Sequence, residues 1–281
     1  MTRTNPSSAT ASPAASSAPD PPAPGGLCAI HQPNLFPRLT TLAKLFAADT
    51  WIVLDDVQFT RRDYQHRTRL ATLGAQQAPT SRWMAIPTHL PQGRQTIIRD
   101  ALIADPDLAR RRTMAMLRQY YGASPHWPAL AQSLEPVAAS FGSGRTAIVA
   151  ETSARTLLSL LGWKGQIFRS SDLTVRPGRS QRLADLAATV DARSYLCGTG
   201  GMKYLDSAPF AAQGLAVIPF LTPPDGIWGS GRQVSALWAL ATLGPTALAG
   251  RLRAVATAQT GTGAGRLSTF LCTSPVPLCQ P

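Results

Sequence analysis

The sequence predicts an α/β fold, a mostly parallel sheet with helices on both faces and a helical cap or insertion. Three observations carry this reading. Short apolar runs rich in β-branched and aromatic residues recur along the chain, separated by segments of helical spacing. Two early runs break directly into polar sequence, at His31-Gln32-Pro33 and at Asp55-Asp56-Val57-Gln58. Strand carboxyl ends of that kind open on a crevice, which is where open α/β sheets bind their ligands. Finally, 281 residues with 44% hydrophobic content can bury one substantial core.

The elements follow in order. Residues 1–26 are almost wholly Ser, Ala, Pro, Thr and Gly, so they are expected to be a disordered tail. Leu27 to Ile30 reads as a strand, and Leu39 to Ala48 as a helix with Leu42, Leu45 and Phe46 on one side. Trp51 to Leu54 is a buried strand. A loop is expected over Ala71 to Thr80, then strands at Arg82 to Ile86 and Thr96 to Ile103. Residues 105–161 form the helical insertion. Its first helix, Asp107 to Tyr121, has Asp105 as N-cap and Gly122 as its stop. Trp127 to Phe141 is a second helix, kinked or split by Pro136, and Thr146 to Leu161 is a third.

The second half alternates strand and helix. Gln166 to Phe168, Tyr195 to Cys197 and Leu215 to Leu221 are strands; Ser180 to Ala192, Pro209 to Gln213 and Val234 to Leu243 are helices. Strands spaced in this way imply parallel pairing with both faces covered. The single α/β domain is thus expected over 27–253. Beyond it, 254–281 turns to Thr, Gly, Ser and Pro, where order is expected to end.

Composition excludes several classes. No window approaches the ~20 apolar residues of a membrane helix, so no membrane partner is expected. Residues 1–26 lack the apolar stretch of a secretory signal, which makes a cytoplasmic location the expectation. Cys28, Cys197, Cys272 and Cys279 form no C-x-x-C pair and have no His at ligand spacing, so neither a metal nor another cofactor is expected. The net charge of +12 favours anionic partners. Its arginines are dispersed and no nucleic-acid motif is present, which argues against sequence-specific DNA binding. A small-molecule substrate fits, and an aminoacyl-tRNA is a donor that such a field would attract.

The candidate site residues follow from the strand ends. His31 ends an apolar strand, is restrained by Pro33 and Pro37, and suits a general base near neutral pH. Gln32 can grip a substrate amide or carboxyl group. Asp55 and Asp56 are adjacent, so their side chains point to opposite faces and do not form a dyad. Asp55 is assigned to orient the reacting amine or His31, and Asp56 to substrate binding. Gln58 and Gln65 add neutral donors, while Arg61, Arg62 and Arg67 can clamp a carboxylate or phosphate. Ser171 ends another predicted strand. Gly198, Gly200 and Gly201 give a backbone that a ligand can approach closely, and Tyr204 and Asp206 follow as pocket wall.

Two long ordered motifs also resemble the WbqC-like family. The first is Ile30-His31-Gln32-Pro33-Asn34-Leu35-Phe36-Pro37. The second is Leu54-Asp55-Asp56-Val57-Gln58-Phe59, continued by Arg61-Arg62-Asp63-Tyr64-Gln65 with Arg67 and Arg69. The likeness continues at Ser170-Ser171-Asp172-Leu173 and at Tyr195-Leu196-Cys197-Gly198-Thr199-Gly200-Gly201, and covers roughly Cys28 to Arg253. It implies a role in O-antigen, other polysaccharide or natural-product biosynthesis, where a glycyl (aminoacyl) transferase activity on an amine has been proposed. Two alternatives stay open: a non-catalytic ligand-binding or scaffold protein of such a pathway, and a nucleotide-using ligase or nucleotidyltransferase. The chain departs from the family pattern at Thr222 to Trp238, where a His-Pro-x-Tyr-x-Gln type segment is replaced.

Overall fold

Residues 26–74 and 80–266 are described by a computed structural model, with side chains to Gln259. The expected tail at 1–25, the 75–79 part of the expected loop and the final 267–281 lie outside the described residues. The strands are β1 (Leu27–His31), β2 (Thr50–Val53), β3 (Arg67–Ala71), β4 (Ser81–Ala85), β5 (Thr88–His89), β6 (Leu102–Ile103), β7 (Gln166–Arg169), β8 (Ser194–Gly198) and β9 (Ala216–Phe220). The helices are α1 (Leu39–Phe46), α2 (Pro106–Tyr121), α3 (Trp127–Ser133), α4 (Glu135–Ser140), α5 (Thr146–Leu160), α6 (Arg179–Thr189), α7 (Thr199–Met202), α8 (Ala208–Ala211), α9 (Ile227–Gly231) and α10 (Ala236–Arg266).

Five strands form one parallel sheet in the order β7-β2-β1-β8-β9. The first strand lies at the centre, and the chain winds outward from it to one side and then to the other. The reversal falls between β1 and β8, and their carboxyl ends part there to leave a crevice. His31 ends β1 and Gly198 ends β8, so both stand at that point.

Both faces are covered because the strand residues alternate between two apolar layers. Ala29, Trp51, Val53 and Leu196 pack into a layer that includes Leu39, Leu42, Leu157 and Trp238, from α1, α5 and α10. Cys28, Ile30, Ile52, Tyr195 and Cys197 pack with Ala184, Leu186, Ala187 and Phe210, from α6 and α8. The second layer is smaller, which leaves its side of the crevice more open.

The helices expected over 105–161 are present as α2 to α5. Leu108 N donates to the Asp105 carboxylate at 2.9 Å, so Asp105 is the N-cap as expected. The helix read over Trp127 to Phe141 divides at Leu134, just before Pro136, into α3 and α4.

Two expectations differ from the structure, and β3 is a strand that was not expected. Thr96 to Ile103 is not one strand but 3-10 turns at Gly93–Gln95 and Ile98–Asp100, followed by β6. Ile98 and Ala101 are both buried three residues apart, a turn period rather than a strand period. The charged run after Arg61 ends in a real strand, β3, paired antiparallel with β4. Thr68 and Leu70 point inward, while Arg67 and Arg69 stack on the Trp83 ring at 4.2 and 4.7 Å. Order also continues past Arg253, since α10 runs on to Arg266. Val255 is buried, and the Gln259 amide brackets the Leu221 backbone, donating to its carbonyl at 3.0 Å. Within α10 the chain breaks at Gly244 (φ 78°) before Pro245, and a side chain at Gly244 would collide with the His126 ring.

The loop from His31 to Pro37 is tied down at long range. Phe36 is buried and takes a left-handed backbone, φ 41°, a conformation that costs a non-glycine residue about 1–3 kcal/mol. Its N–H donates to Ser153 Oγ at 2.7 Å, and its carbonyl accepts from Thr68 Oγ1 at 3.0 Å. Leu35 N donates to the Tyr64 carbonyl at 2.8 Å. These anchors from α5, β3 and the Tyr64 turn fix the backbone that presents His31.

Candidate active site

The parted strand ends open on two chambers that share His31, Gly200 and Gly201 in their walls. The larger, of about 1180 Å³, lies toward α6. Gln32, Asp56, Asp63, Arg182 and Tyr204 give it polar groups, and Leu173, Val175 and Leu205 give it apolar wall. The smaller, of about 400 Å³, lies toward α1 and the end of β9.

His31 stands between them. Its Nε2 is 3.2 Å from Asn34 Nδ2, and its carbonyl accepts from Trp51 Nε1 at 3.2 Å and Leu54 N at 3.0 Å. The Asn34 amide donates, which places the imidazole proton on Nδ1. Burial, with the Lys44 and Arg38 charges beside it, holds the ring well below its ordinary pKa. His31 is therefore neutral at physiological pH. Gln32 Oε1 accepts from Gln65 Nε2 at 2.8 Å, and Gln65 Oε1 accepts from Thr60 N at 3.0 Å. Gln65 is only 1% exposed, so it acts by fixing Gln32 and the turn after Phe59.

The two aspartates diverge. Asp56 lines the larger chamber, paired with Arg182 and with the Ser170 hydroxyl. Partial burial works to raise its carboxyl, but the Arg182 and Ser170 hydrogen bonds outweigh it and hold the group below the usual carboxylate range. Asp55 turns the other way, into a separate recess of about 250 Å³ with Arg99, Arg145 and Arg169. Its carboxylate accepts from Ser171 Oγ at 2.9 Å and Ser171 N at 3.1 Å. The carboxylate that shares a chamber with His31 is thus Asp56, whereas Asp55 and Ser171 brace the ends of β2 and β7.

Other sequence candidates scatter. Gly198 lines the smaller chamber, Gly200 and Gly201 both. Gly201 packs on Cys197, where a Cβ would come within 2.8 Å of the sulfur. Tyr204 is 68% exposed at the mouth of the larger chamber, its ring 5.4 Å from the Arg179 guanidinium. Asp206 is spent on capping α8, accepting from Ala208 N at 3.0 Å. Gln58 reaches the Arg94 carbonyl at 2.6 Å. Arg61 and Arg62 are exposed and line neither chamber. Arg67 is occupied by Trp83 and by the Arg62 and Asp63 carbonyls. Among the described residues, no three His, Cys, Asp or Glu side chains are placed to hold a metal ion, and no helix is long and apolar enough to cross a membrane.

The crevice residues from Gln32 to Thr222 fall inside one family match. The profile described as "WbqC-like protein family" matches residues 32–224. The chain belongs to the WbqC-like protein family. A relative from Mycobacterium tuberculosis (strain ATCC 25618 / H37Rv), described as "Uncharacterized protein Rv1507c", is 27% identical over 182 residues, covering 65% of this chain and 76% of its own. No solved structure matches.

This WbqC-like chain also carries site residues that sequence reasoning passed over. Arg38, Thr40, Thr41, Lys44, Thr222 and Arg232 line the smaller chamber, and Arg179 and Arg182 the larger. The position of Lys44, next to apolar Ala43 and Leu45 in a short helix, looks in sequence like solvent-facing helix. Thr222 and Arg232 come from the stretch where the chain departs from the family pattern.

The partly buried imidazoles predict the acid response of the fold. His31 is held well below 6.5, and burial lowers His66 to about 4. Between those folded values and the ordinary 6.5, the unfolded chain binds protons that the folded chain refuses, so stability falls as pH falls. The contribution is fully present above about pH 6.5. Urea midpoints measured from pH 7.5 down to 4.5 should decline, and His66→Gln should flatten part of the decline. An unchanged slope in that variant would remove His66 from the account.

Proposed function

We propose that this WbqC-like protein is a group transferase that moves an acyl group, of the aminoacyl (glycyl) type, onto an amine of a sugar or natural-product intermediate. The observation that carries the proposal is a neutral, partly buried histidine between two chambers of different chemistry. A transfer reaction needs two substrates brought together at one atom, and adjoining chambers supply that proximity. The larger chamber, mixed polar and apolar with Asp56 beside it, suits the acceptor. The smaller chamber suits the activated donor.

His31 takes the proton from the amine as its nitrogen attacks the donor carbonyl; the bond from that carbonyl carbon to the carrier oxygen breaks, and the carrier leaves as its hydroxyl, receiving the proton from His31, or as a phosphate anion. A neutral imidazole is ready for this without first losing a proton. The 3.2 Å contact from Asn34 is at the long end for an amide donor, so an incoming amine can replace it at Nε2. Asp56, kept ionised by Arg182, attracts the amine and holds it toward His31. Gln32, fixed by Gln65, contributes a directional contact to the acceptor.

The test is a transfer assay read by mass spectrometry of the acceptor. Purified protein would be offered amino-sugar nucleotides together with aminoacyl-tRNA or an aminoacyl-adenylate. An acceptor whose mass increases by one aminoacyl residue supports the reading. Transfer that proceeds equally with the Asp56→Asn variant would remove the proposed role of that carboxylate, and no transfer across an acceptor panel would overturn the activity.

A further inference from the structure

The smaller chamber has an unusual charge balance. Arg38, Lys44 and Arg232 line it, and no carboxylate does. Among the described residues none of the three forms a salt bridge, although other arginines of the fold do so with Asp56, Asp185 and Glu151. Lys44 is only 5% exposed, and its one hydrogen bond is to the Ile30 carbonyl at 3.2 Å. An ammonium has three donors, so two of its three are left over. Arg38 is stacked 4.4 Å over Tyr64 and donates to the Arg232 carbonyl at 3.2 Å, while its buried Nε has no partner. Arg232 reaches the Thr222 carbonyl at 3.4 Å.

A buried cation without a counter-charge costs free energy. That cost falls on buried Lys44; half-buried Arg38 and exposed Arg232 add their charges to the same cavity, and the set is a standing demand for an anion. The number of charges and donors decides which anion. A carboxylate carries one charge and two oxygens, whereas a phosphoryl group carries up to two charges and three terminal oxygens. Thr40, Thr41 and Thr199 add hydroxyl donors to the same walls.

We infer that the smaller chamber is a phosphoryl-binding subsite, formed by Arg38, Lys44 and Arg232, that anchors the donor by a phosphoryl group on its carrier. This rests on the transfer reading for the word donor, but the chemistry of the chamber does not depend on it. Burial lowers Lys44 to about 8, so its charge, and with it the subsite, weakens above that pH.

The experiment measures binding of inorganic phosphate by isothermal titration, with acetate as the competing chemistry. Phosphate should bind the wild-type protein at millimolar concentrations or below. Arg232→Gln, a change at an exposed position, should weaken it roughly 10-fold or more. Arg111→Gln on α2 removes the same charge far from the chamber and should leave binding within twofold. A pH series should show affinity falling between pH 7.5 and 9. Three results would overturn the subsite: no phosphate binding, acetate binding as tightly as phosphate, or equal losses in the two variants. Turnover plays no part in any arm. Phosphate binding without any acyl transfer would therefore sink the proposed activity and leave the subsite standing, and the reverse outcome would do the opposite.

Discussion

Replacing His31 with glutamine should reduce turnover by about 100- to 10,000-fold, the range usual for a positioned general base. The effect should fall on kcat, because the imidazole accepts its proton only as the carbon–nitrogen bond forms. Glutamine keeps a polar group near Asn34 but accepts protons poorly. The fold should persist: the anchors of the His31 loop are backbone groups of Leu35 and Phe36, and neither involves the imidazole. Steady-state kinetics on a confirmed donor and acceptor would read the outcome, with a thermal melt as control. Wild-type kcat in a folded variant would end the general-base assignment. A loss confined to KM would turn His31 into a binding residue.

Trp51→Ala should be the most costly single change to stability. The side chain is fully buried in the layer with α1, α5 and α10, and removing such a ring costs about 3–5 kcal/mol. In a domain of this size, each kcal/mol lowers the melting temperature by about 2–4 °C, which gives a fall of roughly 6–20 °C. Trp51→Phe separates packing from the hydrogen bond. It keeps most of the ring but loses the N–H to the His31 carbonyl, a bond worth about 0.5–1.5 kcal/mol. Leu54 N still pairs that carbonyl, so the loss should stay at the low end of that range. Denaturant midpoints of the two variants would decide it; equal losses would mean that the indole N–H, not the burial, dominates.

The strand ends were legible because the sequence switches from apolar to polar within one residue there. Ile30 to His31 and Leu54 to Asp55 mark the mouth of the sheet, and Asp55 and Asp56 do diverge, although both lie past the end of β2 at Val53. The destination of each carboxylate was not legible. Which one meets His31 depends on Ser170, Ser171 and Arg182, more than a hundred residues further on. The cations of the smaller chamber were hidden for a related reason. Lys44 is an ordinary residue of a short helix until β8 is placed next to β1, and Arg232 becomes part of the site only when β9 and α9 close over it. Conversely, the conspicuous run from Arg61 to Arg69 drew attention by its charge. Its Arg-Thr-Arg-Leu-Ala end alternates as a strand does, and the structure uses it as one.

The left-handed turn at Phe36 has a consequence for how the protein is made. Its amide is held by a hydroxyl 117 residues downstream, at Ser153. A ribosome therefore releases the His31 loop long before it has synthesised the residue that secures it. Until then only the Tyr64 and Thr68 contacts are available to the loop, and the strand that completes the crevice, β8, emerges later still. A truncated chain ending ahead of α5 would carry both long motifs and still lack the β8 side of the crevice. The crevice thus takes shape only once β8 has been made, since Tyr195 and Gly198 to Gly201 supply the walls on that side.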